Sequence, residues 1–225
     1  MTKIKMVVFD MAGTTVNENN VVYKTLHKAI NEHGTKVSLE TVLENGAGKE
    51  KLQAIKDVLT SLNGDAKTDA HPIFQTFKMM LEDAYKHLNV TPIDGVENQM
   101  LQLRANGVKV VLNTGYNSVV ANNLLEKLRW NKEEHYDLLI TADDVVNGRP
   151  HPDMIEMAMK TFDITDSAEV LKAGDSAIDI EEGKNANCGI TVGVLSGAQT
   201  KEQLENASPD YIIDSLATID KIIVG

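Results

Sequence analysis

Four short stretches of the 225-residue chain hold residues suited to work on an anionic group. Asp10-Met-Ala-Gly-Thr14 offers a carboxylate in a turn, and Asn113-Thr114-Gly115-Tyr116 offers a hydroxyl. Gly148-Arg149-Pro150 offers a cation, and Gly174-Asp175-Ser176-Ala-Ile-Asp179 two more carboxylates. Asp10 and Asp175 are oxygen ligands of the kind Mg²⁺ takes, one or two carboxylates beside a substrate phosphate. Such a metal offsets the repulsion between an anionic nucleophile and an anionic phosphoryl group. Thr114 can hydrogen-bond a phosphoryl oxygen, and the permanently charged Arg149 can fork across Asp10 and that oxygen. Asp10 is then the nucleophile, forming an acyl phosphate that water hydrolyses. Each residue also has a plain structural reading. Asp10 suits a turn, Thr114 and Asp175 suit helix caps, and Arg149 suits a solvated surface.

The elements around these stretches favour the chemical reading. Val7-Val-Phe9 is a short apolar run ending at Asp10, the pattern of a strand buried on both faces. Similar runs recur at 108–112, 136–140, 170–173, 190–194 and 211–213. Helical patterns separate them at roughly 117–130, 152–162, 177–186, 201–206 and 215–222. Alternating strands and helices predict a doubly wound α/β domain with a mainly parallel sheet. Ligands of such sheets sit beyond the carboxyl ends of the strands, which is where all four stretches fall. Between Glu18 and about Asn89 no strand is predicted. That block reads as helices at 21–33, 38–43, 49–62 and 72–87, punctuated by glycines 34, 46, 48 and 64. It has the form of a helical domain inserted after the first strand.

In this order the four motifs resemble those of the haloacid dehalogenase superfamily. The resemblance covers essentially the whole core, and the helical block matches that family's cap. It implies a Rossmann-like core at 1–16 and 89–225 with an all-helical cap at 17–88. It further implies an aspartyl-phosphate intermediate and Mg²⁺ held by Asp10, the Ala12 carbonyl and Asp175. Asp179 and Ser176 would support the site from behind, and Thr14 and Gly115 would join Lys49 and Tyr116 in binding the substrate.

Two departures from the commonest family pattern carry chemical meaning. Most phosphatases of the superfamily have a second Asp two positions after the nucleophile, as acid for the leaving alcohol. Here that position is Ala12, which transfers no proton. General acid catalysis contributes about 10²–10⁴-fold, or roughly 3–5 kcal/mol of transition-state help. Arg149 stands where Lys is usual. Together these features are similar to the phosphonatase branch, phosphonoacetaldehyde hydrolase and its relatives. That branch needs no such acid, because a cap lysine forms a Schiff base whose iminium accepts the electrons of the breaking C–P bond. The candidate lysine is Lys49, with Gly46 at the branch's spacing. However, Asn45 and Leu52 replace the expected Met and His. Lys49 can equally contact an anionic end of the substrate or simply start a helix. Tyr116 holds the position of a phosphonatase pocket tyrosine.

The expected activity is thus a Mg²⁺-dependent hydrolase of a small phosphorylated or phosphonylated metabolite. Phosphonoacetaldehyde hydrolysis through Lys49 is the first alternative, and a phosphate- and Mg²⁺-binding regulatory module with little turnover is the second. Composition excludes other classes. A net charge of −11 and a pI near 5.0 argue against a nucleic-acid partner. The apolar run Met6–Phe9 is too short to span a membrane. The lone Cys188 excludes a disulfide framework and fits the cytoplasm. Six scattered histidines give no metal spacing, and Gly48-Lys49 lacks the rest of a P-loop. The resemblance is compatible with a monomer or a homodimer formed through the caps.

Overall fold

The structure, a computed structural model, describes residues 3–47, 49, 51–63 and 69–223. Gly48 and Gly64 of the predicted punctuation lie outside the described residues. The chain forms two compact units, Met1–Asn17 with Val90–Gly225, and Glu18–Asn89.

The first unit is built on strands β1 (Met6–Asp10), β4 (Lys109–Asn113), β5 (Leu138–Ile140), β6 (Val170–Gly174), β7 (Ile190–Val194) and β8 (Tyr211–Ile213). They form one sheet in the order β5-β4-β1-β6-β7-β8, every pairing parallel. All six lie on predicted apolar runs. Helices α5 (Val96–Ala105), α6 (Ser118–Leu128), α7 (Asp153–Thr161), α8 (Ala177–Asn185) and α9 (Lys201–Asn206) connect them, and α10 (Asp220–Ile223) follows β8. All five residues of β1 are buried, because helices cover both sheet faces. Met6 and Val8 point to one face, where they join Val111, Ile140 and Val170 against Met154, Ile155 and Ala158 of α7. Burying side chains of this size stabilises by about 1.5–3 kcal/mol each.

Two features have no counterpart in the sequence reading. Helix α5 buries Val96, Gln99, Met100 and Leu103, a helical spacing blurred by a glutamine on its inner face. Its N-cap is Gly95 in a left-handed conformation with no side-chain cap, so the usual start signal is missing. A two-residue antiparallel pair also forms between β2 (Val16–Asn17) and β3 (Thr91–Pro92), too short for periodicity to register. At the C-terminus the predicted helix 215–222 divides into a 3₁₀ turn, Leu216–Thr218, and α10.

The second unit is helical: α1 (Val21–Glu32), α2 (Leu39–Gly46), α3 (Lys51–Asn63) and α4 (Ala70–His87). Val22, Leu26, Ala29 and Ile30 make the buried stripe of α1, the spacing an amphipathic helix requires. Ser38 caps α2 by accepting from the Thr41 N–H, and Asp69 caps α4 by accepting from His71. Among the described residues no helix is long and apolar enough to cross a membrane.

Glu18 opens this unit only 2% exposed, and its Oε2 has no hydrogen-bond partner. Burial pushes its carboxyl up to about 7, against the backbone N–H groups of Val22 and Val21 and the charges of Lys51 and Lys24. Between about 4.5 and 7 the folded chain therefore keeps a proton that the unfolded chain releases. This residue's contribution to stability thus falls as pH rises through that window. Glu18→Gln is expected to remove the effect. Urea unfolding at pH 5 and pH 8 should show the parent losing on the order of 3 kcal/mol more than the variant over that interval.

Candidate active site

Asp10 is the last residue of β1, the central strand, with Asn113 of β4 as its register partner. The chain leaves β1 for β4 on one side, and β6 lies on the other. This is the reversal in strand order at which α/β sheets open a crevice. Asp175 directly follows the end of β6, and Asp179 sits in the first turn of α8. The three buried carboxylates each bring an oxygen within 4.8 Å of the others.

The cations sort them. Arg149, in the loop between β5 and α7, places Nη2 2.9 Å from Asp10 Oδ1 and donates through Nη1 to Asp179 Oδ1. The fork expected to reach from Asp10 to a phosphoryl oxygen thus spans Asp10 and Asp179. Asp179 also receives Lys172 Nζ at 3.0 Å and the Ser176 hydroxyl at 2.6 Å. Burial alone would raise the Asp179 carboxyl, but Arg149 and Lys172 outweigh it and hold it below its ordinary value. Asp175 is different. It accepts the Ala198 N–H at 2.6 Å, and it has no ion pair among the described residues. Burial, then repulsion from Asp10 and Asp179, pushes its carboxyl well above the usual range. Burial also raises Asp10, and Arg149 only partly offsets this.

Counting the buried groups tests whether a metal fits. Asp10, Asp175, Asp179 and Glu182 supply four carboxylates, while Arg149 and Lys172 supply two cations. Fully ionised, the cluster is short of two positive charges, and an uncompensated buried charge is costly. A divalent cation beside Asp10 and Asp175, the two least neutralised carboxylates, restores the balance. Asp179 is already occupied by cations. At Ala12 the backbone is bridged by Val16 N–H to Met11 O and Gly13 N–H to Val16 O. These bonds straddle Ala12 and leave its own carbonyl out of the pairing.

Close approach to Asp175 depends on two glycines. Gly13 has φ +81°, and a Cβ there would strike the Asp175 carboxylate; a Cβ on Gly197 would strike it too. Gly197 lies in the stretch after β7, where Ala198 N–H binds Asp175, Ser196 Oγ donates to Gly13 O, and Gln199 Oε1 accepts from Ala177 N–H. The sequence reading passed over this segment. Its signal was position, a Ser-Gly-Ala run just past a strand end on the same sheet edge. Gly197→Ala is expected to displace Asp175 and lower kcat by about 10²-fold, since an ångström of misplacement has that cost. A thermal melt beside the rate measurement would show the fold retained.

The remaining candidates are placed as follows. Thr114 is buried and its Oγ1 accepts from Tyr116 N–H at 3.2 Å, which leaves the hydroxyl proton to donate elsewhere. A Cβ on Gly115 would lie 3.6 Å from Arg149 Nη2, so this backbone runs alongside the guanidinium. Tyr116 is half-buried. Thr14 is fully buried, and its hydroxyl has no hydrogen-bond partner. Lys49 belongs to the other unit, where Nζ lies 2.5 Å from Asp57 Oδ2. Burial would raise Asp57, but hydrogen bonds from Lys49 and Gln53 outweigh it and lower its carboxyl.

A buried aspartate thus ends the central strand, with a cation beside it and carboxylates from the neighbouring strand end and helix. The family model for haloacid dehalogenase-like hydrolases matches residues 7–193. The chain belongs to this family. Among relatives of this hydrolase is phosphonoacetaldehyde hydrolase of Bacillus cereus (strain G9842), 29% identical over 241 residues, covering 99% of this chain and 86% of the relative. Among solved structures, a protein assigned as a phosphoglycolate phosphatase in Lactobacillus delbrueckii superposes with a TM-score of 0.84 at 20% identity, covering 99% of both chains. A phosphonoacetaldehyde hydrolase-like protein of Oleispira antarctica superposes at 0.81 with 23% identity, covering 99% of this chain and 91% of its own. These likenesses agree with the α/β fold of the haloacid dehalogenase-like hydrolase described here.

Proposed function

We propose that the chain is a Mg²⁺-dependent phosphohydrolase in which Asp10 attacks phosphorus in a small phosphorylated or phosphonylated metabolite. The carrying observation is a buried cluster of four carboxylates against two cations, centred on a strand-end aspartate. Asp10, Asp175 and the Ala12 carbonyl would hold the ion. When bound, it would offset the charge of the phosphoryl group and of the nucleophile. Arg149 holds Asp10 by one nitrogen and fixes the direction in which the other oxygen attacks. Thr114 and Thr14 supply hydroxyls and Gly115 a close backbone for the phosphoryl oxygens, with Tyr116 lining the pocket. Water then cleaves the aspartyl phosphate. We assign the helical unit the role of a substrate-selecting cap.

Ala12 offers no proton to a leaving alcohol, which favours substrates whose leaving group needs none. The relative in Bacillus cereus carries the name of an enzyme with such a substrate. A second reading is therefore phosphonoacetaldehyde hydrolysis through a Lys49 Schiff base. Lys49 Nζ is held 2.5 Å from the Asp57 carboxylate, so it would have to leave that ion pair before it could attack an aldehyde. This pairing places the general phosphohydrolase reading first.

Phosphate release from 2-phosphoglycolate, an aryl phosphate and phosphonoacetaldehyde, each with Mg²⁺ or EDTA, tests both. Mg²⁺-dependent release from an ester, retained in Lys49→Arg, is the expected result. Fast release from the phosphonate alone, lost in Lys49→Arg, would replace it with the second reading. No release from any of the three would overturn both in favour of a binding module.

A further inference from the structure

Lys172 lies in the middle of β6, fully buried, on the strand next to the nucleophile's own. Its ammonium has three donors and meets three acceptors: Asn113 Oδ1 at 2.7 Å, Asp179 Oδ1 at 3.0 Å and Glu182 Oε2 at 3.0 Å. Asn113 in turn donates its amide nitrogen to both Glu182 oxygens, at 2.8 and 2.9 Å. Every donor of the ammonium is thereby used. Asp179 and Glu182 stand three apart on α8, hence on one face of that helix. The three elements β4, β6 and α8 are thus tied at one point behind the crevice. Asp179 is shared: the oxygen that takes Lys172 also takes Arg149 Nη1. Arg149 then reaches Asp10 with its other nitrogen.

We propose that Lys172, with Asn113 and Glu182, is the positioning device of the active site: it fixes Asp179, which fixes Arg149, which fixes the nucleophile Asp10. Lys172 touches no reacting atom and acts through two intervening side chains. The inference rests on the proposed role of Asp10, and its test separates the two.

The charge-balanced double variant Lys172→Met, Glu182→Met removes the tie while leaving Asp10, Arg149, Asp175 and Asp179 in place. Replacing a buried ion pair by apolar side chains of similar volume is often neutral for stability. The double variant should therefore melt within a few degrees of the parent. Its kcat on an aryl phosphate with Mg²⁺ should fall about 10²-fold, with KM changing less than about threefold. Side-chain NMR of [¹⁵N]arginine-labelled protein gives a readout independent of turnover, because the chain has only three arginines. The parent should show slowly rotating, resolved Hη signals for Arg149, and the double variant should lose them. Unchanged kcat together with unchanged Arg149 signals overturns the proposal and leaves Lys172 as a structural charge. If the parent hydrolyses none of the phosphates, the function fails but the NMR comparison still decides the inference. Should the double variant not fold, Asn113→Ala loosens the same ammonium without altering a charge. A roughly tenfold kcat loss with broadened Arg149 signals then supports the proposal, and no change in either overturns it.

Discussion

Asp10→Asn is expected to lower turnover by at least about 10⁴-fold while leaving the chain as stable as the parent, or more so. The rate loss follows from chemistry: an amide oxygen forms no stable acyl phosphate, so the covalent route closes. The stability result follows from the charges around the residue. Asp10 is buried, stands against Asp175 and Asp179, and shares its one cation with Asp179. Removing its charge lowers the excess of carboxylates over cations in the fully ionised cluster from two to one and relieves the repulsion from Asp10 that helps raise the Asp175 carboxyl. Arg149 keeps Asp179 as partner. Melting in EDTA, beside phosphate release, reads both halves. Retained turnover in the folded variant would remove Asp10 as nucleophile, and a large drop in melting temperature would show that the Asp10–Arg149 pair holds the fold.

Lys172→Met alone should be the most destabilising conservative-volume change in the sheet. It leaves Asp179 and Glu182 fully buried with one cation, Arg149, and orphans the Asn113 carbonyl oxygen. Breaking a buried pair by removing one partner costs about 3–5 kcal/mol. At roughly 2–4 °C per kcal/mol for a chain of this size, the melting point should fall on the order of 10 °C. Adding Glu182→Met to the same chain should restore most of that loss, because the destabilisation comes from the uncompensated carboxylate rather than from missing packing. The pair of measurements is a double-mutant cycle with strong coupling expected between contacting groups. Additive losses would contradict the charge argument.

How far the site was legible in the sequence varies with the range of the interaction. Asp10 ends β1, and Thr114 and Asp175 directly follow β4 and β6; a strand end is a local signal, an apolar run that stops. The network behind them was legible only in part. Lys172 interrupts the apolar run Val170–Ala173, and a charge in a strand buried on both faces must have partners. Those partners, Asn113 and Glu182, lie 59 and 10 positions away in sequence; the first is brought close by the register of β1 against both neighbours and the second by helix α8. Arg149 lies in the loop between β5 and α7, but its second partner depends on where α8 turns Asp179. Gly174 permits that turn, for a Cβ there would occupy the Asp179 side chain's position. Helix α5 went unread because its cap is a backbone conformation rather than a side chain.

The small β2–β3 ladder has a consequence for how this enzyme can change over evolutionary time. Asn17 and Thr91 are register partners, and antiparallel partners lie only about 5 Å apart at Cα. Everything between them therefore departs from and returns to a single spot on the catalytic scaffold. An insertion, deletion or wholesale exchange of residues 18–90 leaves the spacing of β1, β4 and β6 undisturbed. On the roles proposed above, specificity can then change in one segment while the site on the parallel sheet is inherited intact.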